Sequence, residues 1–110
     1  MAGVTTRIFR VTVRGRFEGL DDATRERLRA DQPAHDVVSS GAFTGDGTLT
    51  YERAVDFFTF RVQLRGKGDD AEQDVLDEAT ARAEHAVATL GAGHRGDLKA
   101  KATDMASVWQ

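Results

Sequence analysis

The sequence contains no cysteine, no asparagine and a single proline among its 110 residues. Without cysteine, the chain cannot form disulfides, use a thiolate nucleophile or bind a metal through sulfur. No stretch approaches the run of about 20 apolar residues that a membrane-spanning helix needs. The N-terminus runs directly into an alternating pattern, without the apolar segment of a signal peptide. We therefore expect a cytoplasmic protein with no membrane association.

The charge balance is slightly acidic, with 15 lysines and arginines against 18 aspartates and glutamates. Proteins dedicated to nucleic-acid binding usually carry a basic excess, so the composition argues against a nucleic-acid partner. The length suits one domain spanning residues 1–110. A core of that size is adequate but small, which leaves self-association open as a way to bury more surface.

Hydrophobic periodicity and turn residues predict five strands and two helices. The strands are predicted at 5–14, 35–43, 48–51, 57–65 and 98–103, and the helices at about 21–32 and 70–91. The resulting order, β-α-β-(β)-β-α-β, predicts an α+β fold. The order predicts a ferredoxin-like split β-α-β sandwich, with two helices on one face of an antiparallel sheet. The alternative is a sheet with one additional hairpin strand at its edge.

Two of the predicted strands carry arginine at alternate positions. "IFRVTVRGR" (8–16) and "FFTFRVQLR" (57–65) each have one apolar side and one side rich in arginine and threonine. If these strands are central neighbours, both arginine rows lie on the sheet face that the helices leave uncovered. The residues predicted to form this ligand-binding patch are Arg10, Thr12, Arg14, Phe57, Thr59, Arg61 and Arg65. Arginine presents a planar fork of donors that suits carboxylate and phosphate.

The leading hypothesis is therefore a non-catalytic binding module for an anionic small molecule or an acidic partner. A solvated polar face is the plain alternative, because antiparallel sheets commonly expose one face to water. A homodimer is also predicted, since Ile8, Phe57 and Trp109 fall outside the predicted core. The other functional class is a small enzyme of secondary metabolism, catalysing proton transfer or cyclisation in a chamber between two subunits. The titratable residues nearest to such a chamber are Glu52, Asp56 and His35.

No metal or cofactor site is expected, because the three histidines are scattered and no pair has the spacing of metal ligands. His35 opens a predicted strand, His85 flanks the apolar stripe of the long helix, and His94 lies in a glycine-rich loop.

The segment "VRGRFEGL" (13–20) is similar to the phosphate loop V-x-G-x-V-Q-G-V of acylphosphatases, which have the ferredoxin-like fold. The matching residues are Val13, Gly15, Phe17, Glu18, Gly19 and Leu20. That family also requires an arginine where Ala23 stands, and a catalytic asparagine that this chain lacks. The similarity therefore implies a shared fold and turn, without the acylphosphatase activity.

Across most of its length the chain resembles a family of small uncharacterised proteins from high-GC bacteria. The segments that carry the resemblance are "FRVTVRGRFEGL", "AFTGDGTLTYE", "FFTFR" and "ATARAE". The abundance of Ala, Arg, Asp and Gly over Lys, Asn and Ile points to the same kind of source. This resemblance supports the predicted fold and implies no activity.

Overall fold

A computed structural model describes residues 6–107. The strands are β1 (Thr6–Glu18), β2 (Thr48–Tyr51), β3 (Phe57–Lys67), β4 (Gly93–His94) and β5 (Lys99–Asp104). The helices are α1 (Asp22–Asp31), α2 (Val37–Ser40) and α3 (Ala71–Thr89). Two 3₁₀ turns, Gln32–His35 and Met105–Ser107, complete the regular structure.

Strand β1 lies in the middle of the sheet. It pairs antiparallel with β3 on one side, where Val11 stands opposite Val62 and Thr12 opposite Arg61. On its other side it pairs with β5 and, at its far end, with the short β4. Strand β2 pairs with the outer edge of β3. The predicted α+β fold with an antiparallel sheet is therefore confirmed, as is the pairing of the two arginine-bearing strands.

The core lies between the sheet and the helices. Alternate residues of the two central strands are buried on this side: Phe9, Val11, Val13, Phe58, Phe60, Val62 and Leu64. The long helix α3 places a narrow stripe of buried small residues against them: Ala71, Val75, Ala79, Ala83 and Val87. Leu28 of α1 is fully buried in the same core. The apolar side of the strands, which repeats every two residues, thus packs against the apolar side of the helix, which repeats every 3.6 residues.

Helix α1 begins as predicted. The carboxylate of Asp21 accepts a hydrogen bond of 2.7 Å from the backbone N–H of Thr24, and this bond lowers the pKa of Asp21. Such a cap satisfies one of the free N–H groups of the first turn. At the start of α3, Asp70 makes no side-chain cap, and Gln73 donates to Asp77 instead. The sequence "DDAEQ" (69–73) has the spacing that predicts a capping box with Asp69 or Asp70 and Gln73, and this prediction is wrong.

The predicted strand at 35–43 is also wrong, and the number of helices differs from the predicted two. His35 ends a 3₁₀ turn, and residues 37–40 form the short helix α2. The cause is local, because the Asp36 carboxylate accepts a hydrogen bond of 2.9 Å from the Val38 N–H and so caps the helix. The strand preference of two adjacent valines is outweighed by this cap.

The glycine-containing segment compared with a phosphate loop is mostly strand, because β1 continues to Glu18. Gly15 is needed for packing. A Cβ at this position would lie 2.4 Å from Leu98 Cδ2 and 2.6 Å from Phe58 Cζ. The core ring of Phe58 therefore occupies the space that any other residue would fill.

We expect Phe60→Ala to lower the free energy of unfolding by about 3–5 kcal/mol, because it empties a buried aromatic site. Phe57→Ala is the matched control. Phe57 lies on the same strand with its side chain exposed, so its loss should change stability by about 0.5 kcal/mol or less. Urea unfolding followed by circular dichroism measures both. Equal effects from the two variants would invert the assignment of the sheet faces.

We expect Gly15→Ala to destabilise the protein by about 1–3 kcal/mol through overpacking. Gly45→Ala is the control, since a Cβ there meets no atom within 4 Å. The double variant Gly15→Ala/Leu98→Ala should recover part of the loss, because contacting residues are not additive. Thermal unfolding of the three variants tests this. A neutral Gly15→Ala would contradict the close approach of Phe58.

Candidate functional site

The sheet face opposite α1 and α3, called the open face below, is polar and cationic. Strand register fixes its composition, because residues directly opposite each other point to the same side of a sheet. Arg14 stands between Thr59 and Lys99, and Thr12 stands between Arg61 and Lys101. The cations of the open face are Arg10, Arg14, Arg16, Arg61, Arg65, Lys99 and Lys101.

These cations lack acidic partners. Among residues 6–107, none of them forms an ion pair with a carboxylate. Arginines elsewhere do form such pairs. Arg7 lies 2.8 Å from Asp104, and the hydrogen bond from the Ala106 N–H, together with that from Arg7, lowers the pKa of Asp104. The positive charge of the open face is therefore not neutralised by ion pairs within the described residues.

A groove of about 490 Å³ opens on this face. Its lining combines cations, carboxylates, hydroxyls and apolar side chains: Thr12, Arg14, Gln32, Asp36, Val37, Val38, Thr50, Tyr51, Glu52, Phe57, Thr59 and Arg61. The three large hydrophobic residues that stand out as exposed in the described chain, Val37, Val38 and Phe57, all belong to it. Apolar surface and unpaired cations thus meet in one place.

The segment between α1 and β2 builds one wall of the groove. The buried Gln32 side chain donates a hydrogen bond of 3.0 Å to the carbonyl of Tyr51, which ties the 3₁₀ turn to the edge strand. Helix α2 follows directly and presents Val37 and Val38, which are 48% and 92% exposed. Neither valine belongs to the hydrophobic core of the described residues.

Arg61 and Arg14 differ in how they are held. The Arg61 guanidinium donates a hydrogen bond of 2.9 Å to the hydroxyl of Thr50, which is nearly buried. The Arg14 side chain is exposed and makes no hydrogen bond within the described residues. The groove therefore offers one anchored guanidinium and one free guanidinium at diagonal positions of neighbouring strands, since Arg61 stands opposite Thr12 and Arg14 opposite Thr59.

The opposite wall depends on the turn before β3. Val55 is fully buried and has a φ of 56°, which is unusual for a β-branched residue. Arg25 of α1 holds this turn by donating a hydrogen bond of 2.9 Å to the carbonyl of Ala54. The turn delivers Phe57 to the groove with 55% of its surface exposed. The Arg16 guanidinium lies over its ring, 5.5 Å from the centroid.

A second cleft of about 310 Å³ adjoins the groove on the other side of Phe57. Its lining is Arg14, Gly15, Arg16, Phe57, Arg95, Asp97 and Lys99. Arg14 and Phe57 line both depressions, so the two are neighbours across these side chains.

Of the predicted site residues, Thr12, Arg14, Phe57, Thr59 and Arg61 come together in the groove. Arg10 and Arg65 lie on the same face but outside it. Arg10 donates a hydrogen bond of 3.2 Å to Gln63 and lies 5.4 Å from the centre of the Phe43 ring.

Sequence reasoning missed the wall of the groove and most of the second cleft. The strand predicted at 35–43 gave no reason to place Asp36, Val37 and Val38 beside the site. The lysines of β5 could have been predicted to lie on the open face. Lys99 and Lys101 alternate with small apolar residues in the same way as the arginines of β1.

The three predicted acid–base candidates, Glu52, Asp56 and His35, do not come together in the groove. Glu52 lines the groove. Asp56 lies on the far side of the turn, 3.8 Å from Arg25. The His35 ring bonds the carbonyl of Leu49 at 2.8 Å.

Tyr51 lines the groove with part of its surface and extends its ring toward the core. His35 stacks on Tyr51, whose hydroxyl donates a hydrogen bond of 2.6 Å to the carbonyl of Leu28 in the core. Burial raises the pKa of Tyr51. Its hydroxyl is therefore engaged away from the groove. Trp109 lies outside the described residues.

Within residues 6–107, no group of three or more His, Asp or Glu side chains is arranged to hold a metal ion. No helix in the described part of the chain is long and apolar enough to cross a membrane.

Comparison with known proteins gives a family and no activity. No curated protein and no solved structure matches the chain. A profile described as a family of unknown function, DUF6204, matches residues 1–109. The chain therefore belongs to DUF6204.

Proposed function

We propose that the protein is a non-catalytic binding module whose open-face groove receives an amphipathic organic anion. The observation that carries the proposal is the coincidence of unpaired guanidinium groups with the exposed Val37, Val38 and Phe57 in one groove. Its volume falls in the range of small-molecule sites, which are about 300–1,000 Å³. A concave site of this size suits a small molecule better than an acidic protein surface.

The groove divides recognition between charge and shape. Arg61, fixed by Thr50, offers a donor whose position is set before the ligand arrives. Preorganised donors lose less conformational freedom on binding than mobile ones. The hydroxyls of Thr12 and Thr59 add neutral hydrogen bonds on the floor. Phe57 and Val37 supply apolar walls for a ring or a short aliphatic chain.

The alternative of a small enzyme with a chamber between subunits rests on Glu52, which lines the groove. Proton transfer needs a base within hydrogen-bond reach of the substrate and, in most schemes, a second titratable partner. The other titratable groups of the lining are engaged within the fold. Tyr51 directs its hydroxyl to the core, and the Asp36 carboxylate accepts hydrogen bonds from the Val38 N–H and the Gln32 side chain. Binding requires only the groups that the groove displays, which is why we favour it.

We further propose that the protein forms a homodimer through the rim of the groove. Val38 is almost completely exposed, and Val37 and Phe57 extend the same apolar surface. Exposed apolar residues that gather in one area, with polar neighbours, are typical of association sites. A second copy on this rim would close the groove into a chamber.

The finer description of the fold and the cellular location stay proposals. The ferredoxin-like form is supported by β1 lying between β3 and β5, with every neighbouring pair antiparallel. The hydropathy pattern of the sequence supports the cytoplasmic location, and its amino-acid composition supports the bacterial source.

We expect Arg61→Gln to weaken binding of 2-naphthoate at least tenfold. The variant removes a charge-assisted hydrogen bond, and such bonds contribute about 1.5–3 kcal/mol, where 1.4 kcal/mol corresponds to a factor of ten. Isothermal titration calorimetry measures the affinity. Chemical shifts of Thr12, Thr50 and Thr59 in nitrogen-15 spectra locate the bound probe.

Arg65→Gln is the matched control for this experiment. Arg65 lies on the same strand and the same face but outside the groove, so its loss should leave the affinity within about twofold. Both variants should unfold within about 0.5 kcal/mol of the original chain. If Arg61→Gln leaves the affinity unchanged, or both variants lose it equally, the groove is not the binding site.

We expect the chain to sediment at twice its mass of 12.0 kDa at high micromolar concentration. Val38→Asp should return it to monomer, because a charge placed in an apolar contact loses its hydration. Ala81→Asp, on the exposed side of α3, is the control and should leave the mass unchanged. A monomer mass for the original chain removes the dimer proposal.

A further inference from the structure

The groove and the second cleft differ sharply in charge. The groove is lined by Arg14 and Arg61 together with the carboxylates of Asp36 and Glu52, so its formal charges cancel. The cleft is lined by four cations, Arg14, Arg16, Arg95 and Lys99, and by one carboxylate, Asp97. Arg95 is partly balanced by Glu18 at 3.9 Å. The cleft still keeps the larger positive excess.

Part of this excess opposes folding. Arg14 and Lys99 stand directly opposite each other on paired strands, and like charges in that position destabilise a sheet. Neither side chain makes an ion pair within the described residues. An anion placed between them would remove the repulsion and use both groups as donors. The pairing is therefore explained better by a ligand than by the fold.

The cations of the cleft come from separate elements that converge. Arg14 and Arg16 extend from one side of β1, about 7 Å apart along the strand. Lys99 begins β5, and Arg95 lies in the turn between β4 and β5. Donors that surround an anion from several directions suit a tetrahedral group with oxygens on every side. A planar carboxylate would use one arginine fork and leave the others unpaired.

We propose, building on the proposed function, that the ligand is a phosphate monoester whose phosphate occupies the cleft and whose organic body lies in the groove. A phosphate monoester carries a charge of about −1.5 to −2 at pH 7 and presents three acceptor oxygens, which matches the excess of cations. Arg14, shared by both depressions, contacts the ligand at the ester end. The Phe57 ring, held under Arg16, packs against the first atoms of the organic body.

The experiment compares 1-naphthyl phosphate with 2-naphthoate. Wild-type protein should bind the phosphate at least tenfold more tightly at pH 7.5, as measured by calorimetry. That advantage should shrink as the pH falls through about 6, where the second ionisation of a phosphate monoester reverses. Lys99→Gln should weaken binding of the phosphate about tenfold and change that of 2-naphthoate by less than twofold.

Lys101→Gln is the matched control, because Lys101 lies on the same strand and face but outside both depressions. It should alter neither affinity. Arg16→Gln is the second variant and should reproduce the effect of Lys99→Gln on the phosphate. If 2-naphthoate binds in an Arg61-dependent manner while the phosphate gains nothing, the cleft proposal is overturned and the groove proposal stands. If neither probe binds, both proposals are wrong.

Discussion

The antiparallel pairing of β1 with β3 is the constraint on which the rest of the structure depends. Its register places Val11 opposite Val62 and, one position further, Thr12 opposite Arg61. Because side chains alternate between faces, a slip of one residue would send the apolar set to solvent and the arginines to the core. The helices, which need the apolar face, therefore fix the cationic face at the same time. The site is a direct product of core formation.

The electrostatics of the two faces are correspondingly different. Toward the helices and edges, arginines meet carboxylates, as Arg7 meets Asp104 and Arg25 meets Asp56. On the open face, the cations have no such partners within the described residues. Exposed ion pairs add little stability, about 0–1 kcal/mol each, so their absence costs the fold little. It leaves the open face able to exchange water for an anion.

Much of the fold could be predicted because its strongest elements are periodic. The alternation in β1 and β3 and the alanine stripe of α3 specify their own secondary structure and their buried sides. The segment 35–43 could not be predicted, because two valines favour a strand while one hydrogen bond, donated by the Val38 N–H to the Asp36 carboxylate, caps a short helix. The seven predicted site residues lie on the predicted face for the same reason of alternation. Which five of them share a groove depends on α2 and on the turn at Val55, and both positions are set by tertiary contacts.

The facing pair of Arg14 and Lys99 links stability to occupancy. Without an anion, the sheet holds two positive charges side by side, and dissolved salt can only screen them. An anion bound between the two side chains would replace this repulsion by attraction. Because the anion would bind only the folded state, its binding would also raise the free energy of unfolding. Natural variation that neutralised either residue would favour a more stable sheet and a weaker site, which is the familiar opposition between stability and activity. The pairing of β1 with β5 is thus the place where selection for a stable fold and selection for a charged ligand act in opposite directions.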